Sequence, residues 1–428
     1  MEILRLWEDK EKIEKVLDRS NINLIDEEIK QKVEEIVKNV RDSGDAALLK
    51  YIEQFDGVKL SSYEDLRVKS NEVDELVDKE FLGSLKAAAD NITNFHKHQS
   101  FNSWTKPYGD GVILGQYYRP IEVVGIYVPG GRAPYVSTVL MTAIPAKVAG
   151  VKKIILCTPP NKEGQVNPYI LASAKLAKVD EVYKIGGAHA IAALAFGTST
   201  VPKVDKIVGP GNVYVTLAKR IVFGYVSIDM VAGPTEVVII ADESGNHKFI
   251  AADLLSQAEH DPLSLAILIT TSSNLAKRVI NEVELQSKTL SHQETLKDSL
   301  KNATVILTKT LKEAINLSNQ IAPEHLELHI KSPFEILEDI KHAGAIFMGE
   351  YSPESVGDYF AGPSHVLPTC KSARFFSPLA VEDFLTHSSI ISYSKQALAK
   401  CGKEIINLAH LEGFDAHAMA VKVRLDVK

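Results

Sequence analysis

The chain has 428 residues, of which 45% are hydrophobic and 24% are charged, and its formal net charge is -7. This length predicts two or three domains, and the composition excludes global disorder and a fibrous repeat. The acidic balance gives a nucleic-acid partner no electrostatic support. The three cysteines show no CxxC spacing, which argues against a disulfide framework and a thiolate zinc site. The sequence shows no targeting or membrane-spanning segment, so we expect a cytoplasmic protein.

The N-terminal part of the chain has the pattern of amphipathic helices. Apolar residues recur at helical spacing from Asp26 to about Tyr51, and a second helix is expected from Val73 to His98. Solvent-facing helices packed on a core explain this region fully, and it offers no chemistry of its own.

From about residue 121, short β-branched runs alternate with helical patterns, which is typical of parallel sheets with crossover helices. The first series predicts strands at 121–128, 152–157, 181–185 and 204–208. The helices between them are expected from about 137, at 168–177 and at 188–196. A second series predicts strands at 236–241, 265–270, 303–308 and 345–348. The predicted fold class is therefore α/β, with two such units.

The segment from about Ala380 to the end differs from these units. It has a few apolar positions, among them Phe384 and Ile390, but too few to fold alone. We therefore expect it to dock on the body of its own chain or on another subunit.

Four glycine-rich turns are expected at the carboxyl ends of strands, where open α/β sheets bind ligands. They are 129-PGGRAP-134, 186-GGAHA-190, 209-GPGN-212 and 232-AGPTE-236. A tight turn explains any single one of them, but four at one sheet edge favour a ligand cleft. None matches the GxGxxG dinucleotide fingerprint, because Tyr214 stands at the third glycine position of 209-GPGNVY-214.

The segment 253-DLLSQAEHDP-262 is predicted to form the last turns of a helix that stops before Pro262. Gln257 and His260 are three residues apart and would project from one helix face. An amide oxygen and an imidazole nitrogen suit a metal site. Taken alone, a polar helix end with a favourable C-terminal histidine is the simpler explanation.

The segment 321-IAPEHLEL-328 is predicted to begin a helix, because Pro323 suits the first helical position. Glu324 and His325 would then lie in the first turn, where the helix dipole favours an ionised carboxylate and a neutral imidazole. A neutral imidazole can act as a general base. The alternative is a capped helix start with solvated polar residues.

The turn-rich segment 357-GDYFAGPSHVLPT-369 contains Asp358 and His365 among apolar neighbours. Loops of this composition are often functional, although exposed loop residues are the plain alternative.

Near the end of the chain, 411-LEGFDAHAM-419 offers Glu412 and His417. On one continuous helix they would point about 140° apart, so their convergence requires a break, for which Gly413 is suited. Exposed tail residues are the alternative here too.

One set of nitrogen and oxygen donors has the character that Zn²⁺ prefers, and Mn²⁺ or Co²⁺ would also suit it. This set is Gln257, His260, Asp358 and His417. The long spacings leave open whether these residues meet.

Seven stretches of the sequence resemble, in order, the motifs of the histidinol dehydrogenase family. They are 127-YVPGGRAPYVSTVLM-141, 186-GGAHAIAALAFGT-198, 208-VGPGN-212, 228-IDMVAGPTEVVIIADESGNHKFIAADLLSQAEH-260, 322-APEHLEL-328, 356-VGDYFAGPSHVLPT-369 and 412-EGFDAHA-418. The resemblance covers essentially the whole chain from about Asp26 onward.

The resemblance implies a zinc-dependent enzyme that oxidises L-histidinol to L-histidine with NAD⁺, through L-histidinal, as the last step of histidine biosynthesis. The family's zinc ligands fall on Gln257, His260, Asp358 and His417. Its acid–base residues fall on Glu324 and His325. Its further substrate contacts, beside the zinc ligands and His325, fall on Thr235, His365 and Glu412. Its NAD contacts fall on Tyr127, His189 and Asn212.

Two of these positions depart from the family's commoner pattern. His189 stands where glutamine is usual, and an imidazole can still donate one hydrogen bond to a ribose or phosphate. Thr235 stands where serine is frequent, and it keeps the hydroxyl. We therefore expect little change at Thr235.

The resemblance also implies two Rossmann-like units without the usual fingerprint, small terminal helical segments and an intertwined homodimer. The expected parts are an N-terminal helical arm at 1–25, a discontinuous first α/β domain at 26–120 and 236–379, a second Rossmann-like domain at 121–235, and a C-terminal arm at 380–428 that completes the site of the partner subunit.

Two other functions stay open at this point. A zinc-dependent hydrolase of a small amide would use the same donors, with Glu324 as the base that activates water. A two-domain solute-binding protein would need no base. For an oxidoreductase, the three cysteines offer no obvious thiol nucleophile, so water is expected to attack the aldehyde.

Overall fold

The computed structural model describes residues 1–18, 27–69, 77–130 and 134–426. The chain divides into two compact units. The first comprises Met1–His98 with Glu122–Phe384, and the second comprises Gln99–Ile121 with Leu385–Lys428.

The strands are numbered in chain order. They are β1 (Glu2–Arg5), β2 (Trp104–Gly109), β3 (Val112–Pro120), β4 (Val123–Tyr127), β5 (Lys153–Thr158), β6 (Glu181–Lys184), β7 (Lys206–Val208), β8 (Ser227–Ile228), β9 (Glu236–Ala241), β10 (Leu265–Thr270), β11 (Thr304–Leu307), β12 (His325–His329), β13 (Ala345–Met348) and β14 (Leu385–Ser392).

The α-helices follow the same convention. They are α1 (Lys10–Asp18), α2 (Glu27–Ser43), α3 (Asp45–Asp56), α4 (Lys79–His96), α5 (Val136–Ala149), α6 (Pro168–Leu176), α7 (Gly187–Phe196), α8 (Val213–Val222), α9 (His247–Ala258), α10 (Ser273–Gln286), α11 (Gln293–Ser299), α12 (Leu311–Ile321), α13 (Glu354–Tyr359), α14 (Lys395–Leu411) and α15 (Asp415–Leu425).

The first unit contains two parallel sheets. The five-stranded sheet has the order β6-β5-β4-β7-β8, and the six-stranded sheet has the order β1-β11-β10-β9-β12-β13. In both, the first strand of the βα series lies centrally and the later strands continue on either side of it, which is the arrangement of a Rossmann-like half. Every residue of β9 and β10 is buried, as expected for strands covered by helices on both faces. The predicted α/β class with parallel sheets is confirmed.

The helix predicted from Asp26 to about Tyr51 is two helices. Gly44 has φ 54° and precedes α3, so the left-handed backbone at this residue ends α2 and turns the chain. The helix predicted from Val73 is described from Lys79, after the Asp78 carboxylate accepts the N–H of Phe81 as an N-cap. The stretch 73–76 lies outside the described residues.

Two groupings differ from the predicted division into domains. Residues 1–25 were expected to be a helical arm, but β1 pairs in parallel with β11 and extends the six-stranded sheet. Helices α2 and α3 were grouped with 236–379, but their apolar faces share a core with α7 and α8 of the other sheet. The order of the elements along the chain does not indicate which sheet the helices pack against.

The second unit is built around a three-stranded antiparallel sheet in the order β14-β3-β2. β14 pairs with β3 over its full length, from Leu385 opposite Pro120 to Ser392 opposite Ile113. The residues 99–120, expected to belong to the first α/β domain, thus join the C-terminal segment. This pairing supplies the docking that the apolar-poor tail requires.

Among the described residues, none of the helices combines the length and the apolar character that a membrane span needs.

Candidate active site

The candidate catalytic residues gather at the amino edge of the six-stranded sheet. Thr235 immediately precedes β9, and Glu324 immediately precedes the neighbouring strand β12. Helix α9 runs back from the carboxyl end of β9 to this edge, which brings Gln257 beside Thr235. The turn 232-AGPTE-236 therefore precedes a strand and ends in the first residue of β9. The other three glycine-rich turns follow β4, β6 and β7, so this turn does not lie at the same edge as they do.

The segment 321-IAPEHLEL-328 does not begin a helix. Helix α12 ends at Ile321, Ala322 adopts the left-handed conformation with φ 51°, and its N–H bonds to the carbonyl of Ser318. Pro323 follows a helix end here, which is also a common position for proline because it cannot continue the helix. The strand β12 begins at His325, so the helix dipole invoked for Glu324 and His325 does not act on them.

Glu324 is a buried carboxyl group held by two donors. The hydroxyl of Thr235 donates to its Oε2 at 2.6 Å, and the backbone N–H of Glu236 donates to the same oxygen at 3.0 Å. Burial raises the pKa of Glu324 to about 8, against the lowering effect of these hydrogen bonds. Burial therefore opposes the ionised state that was predicted from a helix N-terminus, and it makes the deprotonated carboxylate a better proton acceptor than an exposed one.

His325 is buried, and burial favours the neutral form that was predicted from a helix dipole. Burial lowers the pKa of His325 to about 4, and the charge of Asp358 opposes this only in part. Its Nδ1 lies 3.1 Å from the carbonyl oxygen of Glu236, so Nδ1 carries the proton and donates it. Its Nε2 has no hydrogen-bond partner in the described structure and lies 3.9 Å from Oδ1 of Asp358. This nitrogen is an available acceptor.

Gln257 is oriented by Thr235. Its amide nitrogen donates to the threonine hydroxyl at 2.8 Å, which fixes the direction of the side chain. Its amide oxygen is buried without a hydrogen-bond partner among the described residues. A buried unpaired oxygen costs free energy unless it binds another group, and a metal ion would satisfy it.

His260, Glu354 and Asp358 form a cluster next to these residues. Each offers one ligand atom, and the three atoms lie within 4.8 Å of one another. Both carboxylate oxygens of Glu354 are buried and lack hydrogen-bond partners within the described ranges. Burial and the nearby charge of Asp358 raise the pKa of Glu354 well above its usual value. Sequence reasoning missed Glu354, although its spacing of four residues from Asp358 could have indicated it.

His365 contacts both Asp358 and the helix that follows β4. Its Nδ1 lies 3.1 Å from the carbonyl oxygen of Asp358, and its Nε2 lies 3.2 Å from the hydroxyl of Thr138 in α5. Burial lowers the pKa of His365. Thr138 was not predicted, because nothing local in the sequence relates it to a residue 227 positions later.

The donor set of this edge fits a zinc ion. Gln257, His260 and Asp358 offer an amide oxygen, an imidazole nitrogen and a carboxylate, which are ligands that Zn²⁺ accepts. The unpaired oxygen of Gln257 is the observation that supports the fit most directly.

Glu412 and His417 belong to the second unit. The predicted break between them is present, because Gly413 has φ 78° and separates α14 from α15. Glu412 terminates α14, and His417 lies in the first turn of α15 with its ring 5.2 Å from that of Phe414. Both side chains are exposed.

Two of the three expected coenzyme contacts lie at the carboxyl edge of the five-stranded sheet. The hydroxyl of Tyr127, at the end of β4, accepts the N–H of Gly187 at 3.0 Å. Asn212 follows β7, and its side-chain oxygen caps α8. The strand order reverses between β4 and β7, which is where Rossmann-like sheets bind nucleotides. A Cβ atom on Gly209 would lie 2.1 Å from the carbonyl oxygen of Tyr127, so glycine is required there.

His189 is packed inside the first unit. Its exposed fraction is 1%, and its ring lies 5.8 Å from that of Tyr51 and 5.9 Å from that of Phe55. Neither ring nitrogen has a hydrogen-bond partner in the described portion of the chain, and burial lowers the pKa of His189 to about 3. A neutral imidazole results.

Comparison with known proteins identifies the family of the chain. The histidinol dehydrogenase family model matches residues 19–425. A histidinol dehydrogenase of Bacillus cereus is 53% identical over 409 residues, which is 95% of each chain. One of Clostridium acetobutylicum is 52% identical and covers 93% of this chain and 92% of its own. A crystal structure of histidinol dehydrogenase from Elizabethkingia anophelis has a TM-score of 0.93 at 39% identity and covers 99% of this chain and 97% of its own. The chain therefore belongs to the histidinol dehydrogenase family.

Proposed function

We propose that this protein oxidises L-histidinol to L-histidine through L-histidinal, with Zn²⁺ and NAD⁺ as cofactors, in the last step of histidine biosynthesis. Membership of the family supports the reaction. The observation that carries the chemistry is the buried His325, whose Nε2 has no hydrogen-bond partner among the described residues and lies 3.9 Å from Asp358, while its Nδ1 lies 3.8 Å from Glu324. A biosynthetic enzyme with unpaired cysteines is expected to work in the cytoplasm.

Gln257, His260 and Asp358 would hold the zinc ion, together with His417. When bound, Zn²⁺ supplies a Lewis-acid anchor for the nitrogen atoms of the substrate, and NAD⁺ supplies the acceptor for two hydrides. Thr235, His365 and Glu412 would contact the substrate beside the zinc ligands. The chain's own contribution is then to orient the alcohol carbon and to move protons.

His325 would take the hydroxyl proton of L-histidinol at Nε2 during the first oxidation. Its Nδ1–H is bonded to the carbonyl of Glu236, which keeps Nε2 unprotonated and fixes the plane of the ring. The low pKa of His325 ensures that the imidazole is in its basic form throughout the neutral range.

Glu324 would act in the second oxidation, where water adds to the aldehyde. The pKa of Glu324, raised by burial, makes its carboxylate a strong acceptor for a proton from that water. The hydroxyl of Thr235 and the N–H of Glu236 both bond to Oε2, which leaves Oε1 to receive the proton. The hydrate would then give up the second hydride to NAD⁺ and release its two hydroxyl protons, which leaves the carboxylate of L-histidine.

Tyr127 and Asn212 would contact NAD⁺ at the carboxyl edge of the five-stranded sheet. The hydroxyl of Tyr127 accepts one hydrogen bond from the chain and keeps its own proton to donate. His189 stands at the third expected contact position. Its burial against Tyr51 and Phe55 favours an indirect role through the packing of α7.

A homodimer with shared active sites would let the segment 380–428 of one subunit complete the site of the other. The α14–α15 hairpin presents large exposed apolar side chains that suit burial against a second subunit. They include Leu408, Leu411, Phe414 and Met419. In this arrangement His417 and Glu412 would act on the partner's substrate.

The hydrolase and solute-binding alternatives receive no support from the comparisons, whose family match covers residues 19–425. The decisive experiment measures NADH formed per L-histidinol consumed. We expect a ratio of two, and we expect Glu324→Gln to stop the reaction after the first NADH. A ratio of one in the unaltered protein, or full turnover by Glu324→Gln, would contradict the two-step assignment.

A further inference from the structure

A second group of buried charges lies deeper in the six-stranded sheet, behind the candidate metal centre. Nε2 of His329 lies 3.2 Å from Oε2 of Glu327 and 3.4 Å from Oδ2 of Asp253. The three side chains are buried and could also hold a metal ion by their spacing. None of them takes part in the proton transfers proposed for Glu324 and His325.

The three residues join the elements that carry the candidate ligands. Asp253 lies one helical turn before Gln257 in α9, so the two share a helix face. Glu327 and His329 follow His325 at alternate positions of β12 and therefore point to the same side of the sheet. Through His329, helix α9 is thus linked directly to the strand that supplies the general base.

The link continues to the helix that carries Asp358. Oε1 of Glu327 accepts the backbone N–H of Glu354, the first residue of α13, at 2.8 Å. Asp358 lies one turn further along this helix. Glu327 therefore uses one oxygen for His329 and the other for α13, and it ties the two helices together through β12.

The electrostatics favour an ion network over a neutral hydrogen-bond chain. Burial lowers the pKa of His329, but its hydrogen bonds with Asp253 and Glu327 outweigh this effect and raise the pKa to about 9. A charged imidazolium offsets the negative charge of the two buried carboxylates, both of which contact its Nε2. Its Nδ1 is buried and has no hydrogen-bond partner among the described residues.

We propose that Asp253, Glu327 and His329 are positioning residues, which hold Gln257 and His260 of the α9 end and Asp358 of α13 at the spacing required to bind zinc. The inference rests on the proposed zinc site and deepens it. The three residues touch neither the metal nor the substrate. They act by fixing the backbone of the elements from which the ligands project, as outer-shell partners do in metal sites.

Two matched pairs of variants test this role. Glu327→Gln keeps an oxygen that can accept the N–H of Glu354, whereas Glu327→Leu removes it. His329→Gln keeps a donor for the neighbouring carboxylates, whereas His329→Leu removes it. Ile306→Val, in the buried strand β11, serves as a control for general loss of stability, because β10 and β9 separate β11 from β12 in the sheet.

The readouts are the zinc dissociation constant from chelator competition and the visible absorption spectrum of the Co²⁺-substituted protein. We expect both leucine variants to bind zinc about 10- to 100-fold more weakly. We also expect a changed Co²⁺ spectrum, with smaller effects in both glutamine variants. Ile306→Val should lower the unfolding midpoint and leave the zinc affinity and the spectrum unchanged.

Two results would overturn the inference. Zinc affinity and Co²⁺ spectra equal to those of the unaltered protein in all four variants would show that the network does not position the ligands. Two zinc ions per subunit in the unaltered protein, with one lost in His329→Leu, would show that the cluster is itself a metal site. Failure of the unaltered protein to bind zinc at all would instead contradict the proposed function.

Discussion

The hydroxyl of Thr235 donates to Glu324 at 2.6 Å and accepts the amide N–H of Gln257 at 2.8 Å. A single side chain thus couples the proposed base for water to a proposed zinc ligand. Both hydrogen bonds require the hydroxyl, because it donates to Glu324 and accepts from Gln257.

Thr235→Val should therefore impair turnover although it preserves the shape of the side chain. A hydrogen bond to the deprotonated, reactive form of Glu324 contributes about 1.5–3 kcal/mol, so we expect kcat for L-histidinol to fall by roughly 10- to 100-fold. The rate of NADH formation at saturating substrate measures this. Thr235→Ser keeps the hydroxyl and is the matched control, which should remain within a few-fold of the unaltered protein. Equal rates for the valine and serine variants would contradict the role of the hydroxyl.

His189 should make the protein sensitive to mild acid. Burial lowers the pKa of His189 from 6.5 to about 3, so between these pH values the unfolded chain binds a proton that the folded chain does not. This destabilising effect of His189 is absent well above pH 6.5. The free energy of unfolding then decreases as the pH falls from 6.5 towards 3. From pH 7 to pH 5 this single group should cost about 2 kcal/mol of the free energy of unfolding.

The measurement is urea unfolding at a series of pH values for the unaltered protein and for His189→Gln, which replaces the titratable ring with a neutral amide. The glutamine variant should lose this part of the pH dependence, whatever its stability at pH 7. Parallel stability curves for the two proteins between pH 7 and pH 5 would show that His189 is not the responsible group.

The buried pair of Lys219 and Asp229 should fix the turn that carries Asn212. The ammonium group of Lys219 contacts Asp229 and donates to the carbonyl of Gly209 at 3.0 Å, while Asp229 accepts the N–H of Gly209 at 2.7 Å. Lys219→Met would leave a buried carboxylate unpaired, which we expect to destabilise the protein by about 3–5 kcal/mol. NAD⁺ should also bind more weakly.

The double variant Lys219→Met with Asp229→Asn removes both charges and should be more stable than Lys219→Met alone. Denaturant unfolding measures the stability of the single and the double variant, and intrinsic fluorescence titration measures NAD⁺ binding. Lys301→Met breaks an exposed ion pair with Asp298 and should change stability by less than about 1 kcal/mol. A single variant no less stable than the double variant would contradict the importance of the pairing.

Shared active sites should be visible in mixed dimers. Glu324→Gln and His417→Ala would each prevent a homodimer from forming L-histidine, which is the activity to be measured, but in a mixed dimer one site would combine an intact Glu324 with an intact His417. Random mixing should therefore restore about a quarter of the normal activity per subunit. The mixture is made by unfolding and refolding the two variants together and is assayed with L-histidinol. No recovery in a mixture shown to contain mixed dimers would place both residues in one subunit's site.

The sequence predicted the parallel sheets well because buried strands are local features. The runs at 152–157 and 265–270 correspond to β5 and β10 within one residue, since β-branched side chains bounded by turns leave few alternatives. The break at Gly413 was equally local. These features depend on residues that are neighbours in the chain.

The site could not be predicted in the same way because long-range contacts create it. Pro323 suits both a helix start and a helix end, and only the pairing of β12 with β9 and β13 decides between them. The neutral state of His325 was predicted from a helix dipole, whereas burial by several elements causes it. Glu354 reaches the site through α13, whose position depends on Glu327 in another element.

The pairing of β1 with β11 has a practical consequence for anyone who shortens or tags the chain at its amino end. β1 covers one edge of the six-stranded sheet, from Glu2 opposite Thr304 to Arg5 opposite Leu307. Without it, the buried and strongly apolar strand β11 would present its backbone donors and acceptors as a template for other chains. A deletion far from any reacting group would then show itself as aggregation, while each molecule that remained dissolved would retain its chemistry.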